Sequence, residues 1–344
     1  MKRIITLFLA LVLLGAAVLA WLLLAPATDF SQKSAYLYVY EDSTSAQTQV
    51  MHQLNDKQLI KHPGLLNTLA EKWGVWDKLK SGRYEISKGQ SVLSVVRMLR
   101  NNKQAPVKLV INKLRTREDF ARMLGRNFNT DSAKAIGFLS SNDSLSSLGV
   151  DTNTVMTLII PDTYIFNWNT SVKKVLQHLK GAQEEFWKKD DREQKAAALN
   201  LTPQQVYSLA SIVEEETNYN PEKGNIASVY LNRLNKGMYL GADPTIKFAL
   251  RDFGLRRIYF GHLAVVSPYN TYKNKGLPPG PICTPAVVTI DAVLNQPKTD
   301  YLFFVASAEL NGTHHFSTNF AEHDQYAKAY QKVQDERGNK QPAK

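Results

Sequence analysis

Three hydrophobic patterns follow one another along this chain of 344 residues. The first is an unbroken apolar run, Ile4 to Ala25, with Thr6 as its sole conventional polar side chain. It is long enough to cross a hydrocarbon core as one helix. Residues 26–35, PATDFSQKSA, read as a short linker. Mixed short periods follow. Tyr36-Leu37-Tyr38-Val39-Tyr40 is rich in aromatic and β-branched residues and predicts a strand. Helices are expected over 44–59 and 63–79, the second opened by Pro63-Gly64. Arg83 to Ile86 predicts a strand and Lys88-Gly89-Gln90 a turn. Val92, Val95, Val96 and Leu99 mark the inner face of a helix, and Val107 to Ile111 is a further strand. Residues 36–112 thus form a small α+β module.

The third pattern is longer and mixed. Helices are expected over 116–150, with SSNDSLSSLGVDTN as a surface loop. Leu158-Ile159-Ile160 reads as an apolar strand entering a Pro161-Asp162 turn, and residues 171–199 as one long charged helix. Tyr301 to Val305 is another strand. No internal repeat is present, and residues 338–344 are a polar tail. The fold class is α+β: residues 1–3 precede an anchor at 4–25, then come the linker, the small module, and a mixed domain over 113–344 with its core at 155–335.

Within that domain Thr202 to Glu216 is the most informative segment. Thr202 suits the N-cap, Pro203 the first helical position, and Gln205 completes a capping box. Val206, Leu209, Ala210 and Val213 fall on one core-facing stripe. At roughly 100° per residue, Glu216 lies roughly 50° from the stripe centre, Glu214 roughly 110° and Glu215 roughly 150°. Glu215 is expected in solvent, Glu214 on the flank, and Glu216 at the edge of the apolar face. A carboxyl there is either an ion-pair partner or an acid put to use.

Composition narrows the setting. Lys2 and Arg3 before the apolar run put the N-terminus in the cytoplasm and the remainder outside. Trp21-Leu22-Leu23-Leu24 continues that run past the small residues Ala16, Ala17 and Ala20, which favours an uncleaved single-pass anchor over a cleaved signal. Cys283 is the only cysteine, so intramolecular disulfides and Cys-rich metal sites are excluded; it reads as a packed apolar residue. The net charge of +11 is met outside the cytoplasm by anionic headgroups or wall polymer. No nucleic-acid motif accompanies it.

No phosphate loop, dinucleotide turn or GxSxG elbow is present. His314, His315 and His323 match no zinc signature, so no metal or cofactor is expected. What remains is a carboxylic acid beside Tyr, Asn, Thr and Asp, the inventory for protonating a departing glycosidic oxygen. Asp243 is available as a second carboxylate.

Several ordered motifs carry a family resemblance: SGRYEI, PDTY (161–164), LASIVEEET (209–217), SVYLNRL (228–234), ADPTIKFAL (242–250), YNTY (269–272), GLPPGPI (276–282), YLFFV and HHFSTNFAEH (314–323). With them the chain resembles the membrane-anchored endolytic peptidoglycan transglycosylases of the YceG-like family, from the anchor to the C-terminus. The resemblance implies a lyase that cuts the MurNAc-β-1,4-GlcNAc bond within glycan strands and leaves 1,6-anhydro ends, using one carboxyl. The family pattern IVEKE puts that carboxyl on Glu216. Substrate contacts are then expected from Asn232, Arg233, Asp243, Thr245, Tyr269, Asn270, Thr271 and Tyr272. Arg233 reads equally as an ion-pair partner, Asp243 as a turn cap, and Tyr269 and Tyr272 as core aromatics. Glu215 stands where the family has Lys, and Ile282-Cys283-Thr284-Pro285 departs from its usual loop.

Three readings stay open. One is the transglycosylase, acting on peptidoglycan at the cell membrane in strand termination, with wall-synthesis or division proteins as partners. Another is a lysozyme-like hydrolase using Glu216 and Asp243 with water. A third is a non-catalytic wall-binding scaffold. The module at 36–112 is either a LysM-like glycan binder or a spacer.

Overall fold

The computed structural model describes residues 2–42 and 44–338, so the polar tail from 339 on and Met1 lie outside the described residues. The chain divides into two compact units. One holds the residues up to Leu109 with Asn127–Thr130 and Ile165–Ser171; the other holds Val110–Arg126, Asp131–Tyr164 and the chain from Val172 on.

The first unit contains α1 (Lys2–Leu24), β1 (Ser34–Val39), α2 (Ala46–Asp56), α3 (Pro63–Lys72), β2 (Gly82–Ser87), α4 (Val92–Arg100) and most of β3 (Val107–Val110). From Arg3 to Leu24, α1 is long and apolar enough to cross a membrane, and its apolar side chains up to Trp21 are exposed, Ile4 by 73% and Trp21 by 67%. β1 and β2 pair antiparallel from Ser34↔Ser87 to Val39↔Gly82, with Leu37 opposite a fully buried Tyr84. The turn after β2 needs a left-handed residue, supplied by Gly89 at φ +82°. Ser91 then caps α4, whose Val92, Val95, Val96 and Leu99 enter the core as their spacing requires. α3 stops seven residues short of the expected end because Gly74, at φ +57°, turns the chain out of the helix. Trp168 is buried against Tyr38 and Tyr40.

The chain continues through α5 (Arg117–Asn127), α6 (Ser132–Leu139), α7 (Asn142–Ser146), β4 (Thr163–Phe166), α8 (Val172–Lys188) and α9 (Arg192–Ala198). After these come α10 (Pro203–Glu216), α11 (Lys223–Asn235), α12 (Asp243–Leu250), α13 (Val287–Leu294), β5 (Phe303–Ala306), β6 (His314–Ser317) and α14 (Phe320–Gly338). Helices and two-stranded sheets give the mixed α+β class.

Three expectations need correction. The Ser/Asn-rich stretch is not all loop: Ser141 accepts the Ser144 N–H and starts α7. Leu158 to Ile160 is not a strand. A 3₁₀ turn spans Val155–Leu158, and two tyrosine hydroxyls take the carbonyls a ladder would have used, Tyr207 that of Ile159 and Tyr164 that of Ile160. The long helix breaks between α8 and α9, where Asp190 and Asp191 are both left-handed, a conformation Asp tolerates better than most residues.

α10 is the centre of the second unit, packed by α9, α11, α12 and α13. Every residue from Val206 to Val213 is buried, so the helix is enclosed rather than amphipathic. Its polar members are satisfied locally: Ser208 donates to the Gln204 carbonyl and Ser211 to that of Ser208. Cys283 is buried against the Ser211 carbonyl, and burial pushes its thiol well above the usual range.

Candidate active site

The capping box forms as expected. Thr202 accepts the Gln205 N–H while the Gln205 side chain accepts the Thr202 N–H. This fixes the start of α10, and fourteen residues later the helix ends on Glu216. Thr217 is extended, so the chain leaves immediately and Glu216 sits on the last turn. The negative end of the helix dipole disfavours a carboxylate there.

Three consecutive carboxyls diverge from this turn. Glu214 bonds Lys223 Nζ at 3.0 Å and accepts the Thr289 hydroxyl. Glu215 bonds Lys113 at 2.6 Å and Arg115 at 3.1 Å, with its side chain 15% exposed. The expectation that Glu215 faces solvent is therefore corrected: the segment before α5 covers that side of the helix. Burial alone would raise the Glu215 carboxyl, but Lys113 and Arg115 hold it below the usual value.

Glu216 has no such cation. It is half-buried, and its Oε1 accepts the Tyr230 hydroxyl at 2.5 Å. Burial raises its carboxyl to about 7, helped by the charge of Asp243 and opposed by the Tyr230 hydroxyl, Lys247 and Arg233. A carboxyl in that state holds a proton near neutrality and can release it.

The other expected residues divide by the use of their polar atoms. Asp243, exposed at the start of α12, accepts the Tyr272 hydroxyl at 2.6 Å. Arg233, one turn beyond Tyr230, donates to the carbonyls of Leu302 and Leu240 and lies over the Phe303 ring. Asn232 donates to the carbonyls of Thr299 and Tyr301. Thr245 and Thr271 are buried and bond each other at 2.9 Å. Asn270, also buried, holds the carbonyls of Leu263 and Val265. Tyr269 packs on Phe248 with ring centroids 4.6 Å apart. The bonds of Asn270 and Thr271 shape the loop that carries Tyr272, while those of Asn232 and Arg233 hold the backbone at Leu240 and from Thr299 to Leu302.

Glu216 opens into a cavity of about 610 Å³. Its far wall is the β5–β6 turn, with Ser307, Asn311, Thr313 and His314, and Tyr330 of α14. Sequence reasoning missed this wall and missed Tyr230. A tyrosine on a helix face that buries its ring needs a partner for its hydroxyl, which was the available signal. Asn311-Gly312 is a hairpin signal, and Gly312 has φ +83°, but nothing in it tells what the hairpin faces. Of the three histidines, His314 is held by Glu222, His315 stacks on Tyr326, and His323 stacks on Phe303. Among the described residues no group of three or more could hold a metal ion.

Comparison with known proteins bears on this arrangement. The profile of the YceG-like family matches residues 38–329. An endolytic murein transglycosylase of Bacillus subtilis (strain 168) is 35% identical over 176 residues, which are 50% of this chain and 47% of the relative. One from Streptococcus pneumoniae serotype 2 (strain D39) is 29% identical over 297 residues, 77% of this chain and 53% of the relative. The chain thus spans about half the length of these curated relatives. The crystal structure of a putative YceG-like protein from Listeria monocytogenes superposes with a TM-score of 0.56 at 26% identity, covering 86% of this chain and 99% of that one.

Proposed function

Because the chain belongs to the YceG-like family, we propose that it is an endolytic murein transglycosylase with Glu216 as its acid. The observation that carries this reading is the Glu216 carboxyl itself. It ends a buried helix at the mouth of a cavity, is partnered by a tyrosine hydroxyl instead of a cation, and is raised to about 7. The substrate is the MurNAc-β-1,4-GlcNAc bond inside a glycan strand. Glu216 protonates the glycosidic oxygen as the C1–O bond breaks. As a carboxylate it then takes the proton of the muramyl C6 hydroxyl, whose oxygen closes on C1 to give a 1,6-anhydro end. The same group acts first as acid and then as base.

Tyr230 keeps Glu216 oriented. Asp243 and Tyr272 bind sugar hydroxyls, while Asn232, Arg233, Thr245, Tyr269, Asn270 and Thr271 hold the surrounding loops. α1 anchors the chain in the cell membrane, with its N-terminus cytoplasmic and the remainder outside. The module at 36–112 contributes glycan contacts in the manner of a LysM domain. Wall-synthesis proteins are the partners such an enzyme meets at the membrane.

The test is digestion of purified peptidoglycan by the full chain in detergent, wild type beside Glu216→Gln, with products identified by mass spectrometry. Internal cleavage to 1,6-anhydromuramyl ends, lost in the variant, is the expected result. Reducing ends would instead make the protein a hydrolase with Asp243 as second carboxylate. Equal wall binding with no cleavage by either protein would make it a scaffold.

A further inference from the structure

An enzyme that cuts inside a polymer must hold the strand beside the bond it breaks. In β-1,4-linked GlcNAc and MurNAc the ring substituents are equatorial and the hydrogens axial, so each sugar has apolar faces edged by polar groups. Such a face packs on an aromatic ring, whose negative π-face meets the C–H bonds. The cavity beside Glu216 has hydrogen-bonding groups that are largely engaged with one another. Ser307 Oγ accepts the Glu309 N–H at 3.2 Å, the Thr313 hydroxyl donates to Asn311 Oδ1 at 2.6 Å, and the Asn311 amide donates to Glu309 at 2.9 Å. Tyr219 differs from them. It lines the same cavity shortly after the acid in sequence and is 47% exposed. Among the described residues none bonds its hydroxyl or stacks on its ring.

The backbone that carries this ring is fixed. The Tyr219 N–H donates to Thr217 Oγ1 at 3.0 Å, and its carbonyl accepts the Glu222 N–H at 3.2 Å. The second bond closes a 3₁₀ turn over Asn220–Glu222 that is stiffened by Pro221. Thr217 is buried, and Glu222 accepts the backbone N–H of His314 at 3.0 Å, so the turn is tied to the wall across the cavity. The segment after Glu216 thus has little backbone freedom left to lose when a ligand meets the ring.

We propose that Tyr219 is the stacking platform for a sugar adjoining the scissile bond, and that its ring face, not its hydroxyl, sets the affinity for the strand there. This rests on the transglycosylase reading and deepens it. Stacking fixes the plane of the sugar, and with it the position at which the neighbouring glycosidic oxygen meets Glu216. Two tyrosines then divide the work by their burial. Tyr230, buried, holds the acid through its hydroxyl, and Tyr219, exposed, holds the substrate through its ring.

The experiment measures binding of uncrosslinked glycan strands to the full chain in detergent, in a Glu216→Gln background where binding is separated from cleavage. Tyr219→Ala should weaken Kd about tenfold, while Tyr219→Phe and Tyr219→Trp should keep it within a factor of about three. The Trp variant also reports contact directly. Its emission, taken as the difference from the same background with Tyr219 intact, should shift to the blue when strands are added. Thermal melts of all four proteins should coincide, which sets a binding role apart from a structural one. Unchanged affinity in Tyr219→Ala, affinity in Tyr219→Phe as weak as in Tyr219→Ala, or emission from Tyr219→Trp that ignores the strand overturns the inference. Any of these leaves the transglycosylase reading intact if the wild type makes anhydro ends and Glu216→Gln does not. Absence of anhydro ends from the wild type sinks that reading first.

Discussion

The last turn of α10 has two sides, and they treat identical side chains in opposite ways. On one side Glu214 and Glu215 meet Lys223, Lys113 and Arg115, and the Glu215 carboxyl is held below its usual value. On the other, Glu216 meets a tyrosine hydroxyl and open space, and its carboxyl rises to about 7. Burial acts on both sides. What differs is whether a cation arrives to offset it. Glu215 joins distant chain segments because Lys113 and Arg115 favour its ionised form, whereas Glu216, with no cation in contact, can hold and deliver a proton.

Replacing the unpaired group tests this contrast most severely. Glu216→Gln should reduce strand cleavage by about 10³-fold, measured as release of anhydromuramyl ends. Its stability should move the other way. A carboxyl whose folded pKa lies near 7 contributes stability that is fully present below its unfolded value of about 4.3 and lost as the pH rises through 7. Against wild type the glutamine variant should therefore gain at pH 8, by about 2 kcal/mol in denaturant titrations. A loss at that pH would mean that Glu216 is a structural carboxylate like its neighbours.

Tyr230→Phe sharpens the comparison. The Tyr230 hydroxyl stabilises the Glu216 carboxylate, so its removal should raise that pKa further and move the alkaline limb of kcat/KM upward. Turnover at pH 7 should fall about tenfold as Glu216 loses its orientation. An alkaline limb that stays in place would break the link between this hydroxyl and the acid.

On the paired side, Glu215→Gln should leave cleavage within about twofold and cost about 1–2 kcal/mol at pH 7. With a folded pKa below the unfolded one, this contribution is present above about pH 4.3 and lost as the pH falls through the folded value. Melts of variant and wild type should therefore converge in acid. The smallest effect is at the other end of the helix. Thr202→Ala removes the capping box and should cost about 1 kcal/mol, with kcat unchanged.

Much of this helix was legible in advance. Thr202, Pro203 and Gln205 state where it begins, while apolar spacing separates the directions of Glu215 and Glu216 without foreseeing the cover that Lys113 and Arg115 put over Glu215. The same local rules recovered β1, β2 and α4, where alternation and helical spacing are each carried by a few adjacent residues. They failed at Leu158 to Ile160, because an apolar run tells that it is buried and not which donors will take its carbonyls. They failed again at Asp190, where charge pattern continues across a backbone break.

The chain's own order of residues determined the caps, the periods, the apolar length of α1 and the angle at which each glutamate leaves α10. Those are properties of neighbours within a few residues, where backbone geometry fixes every distance. Only the tertiary structure decided the environment each glutamate meets. Lys113 and Arg115 come from about a hundred residues upstream, Tyr230 from the next helix, and the His314 wall from about a hundred residues downstream. A carboxyl's pKa depends on which charges and how much water lie within a few ångströms, and periodicity along one helix carries no record of what packs across from it.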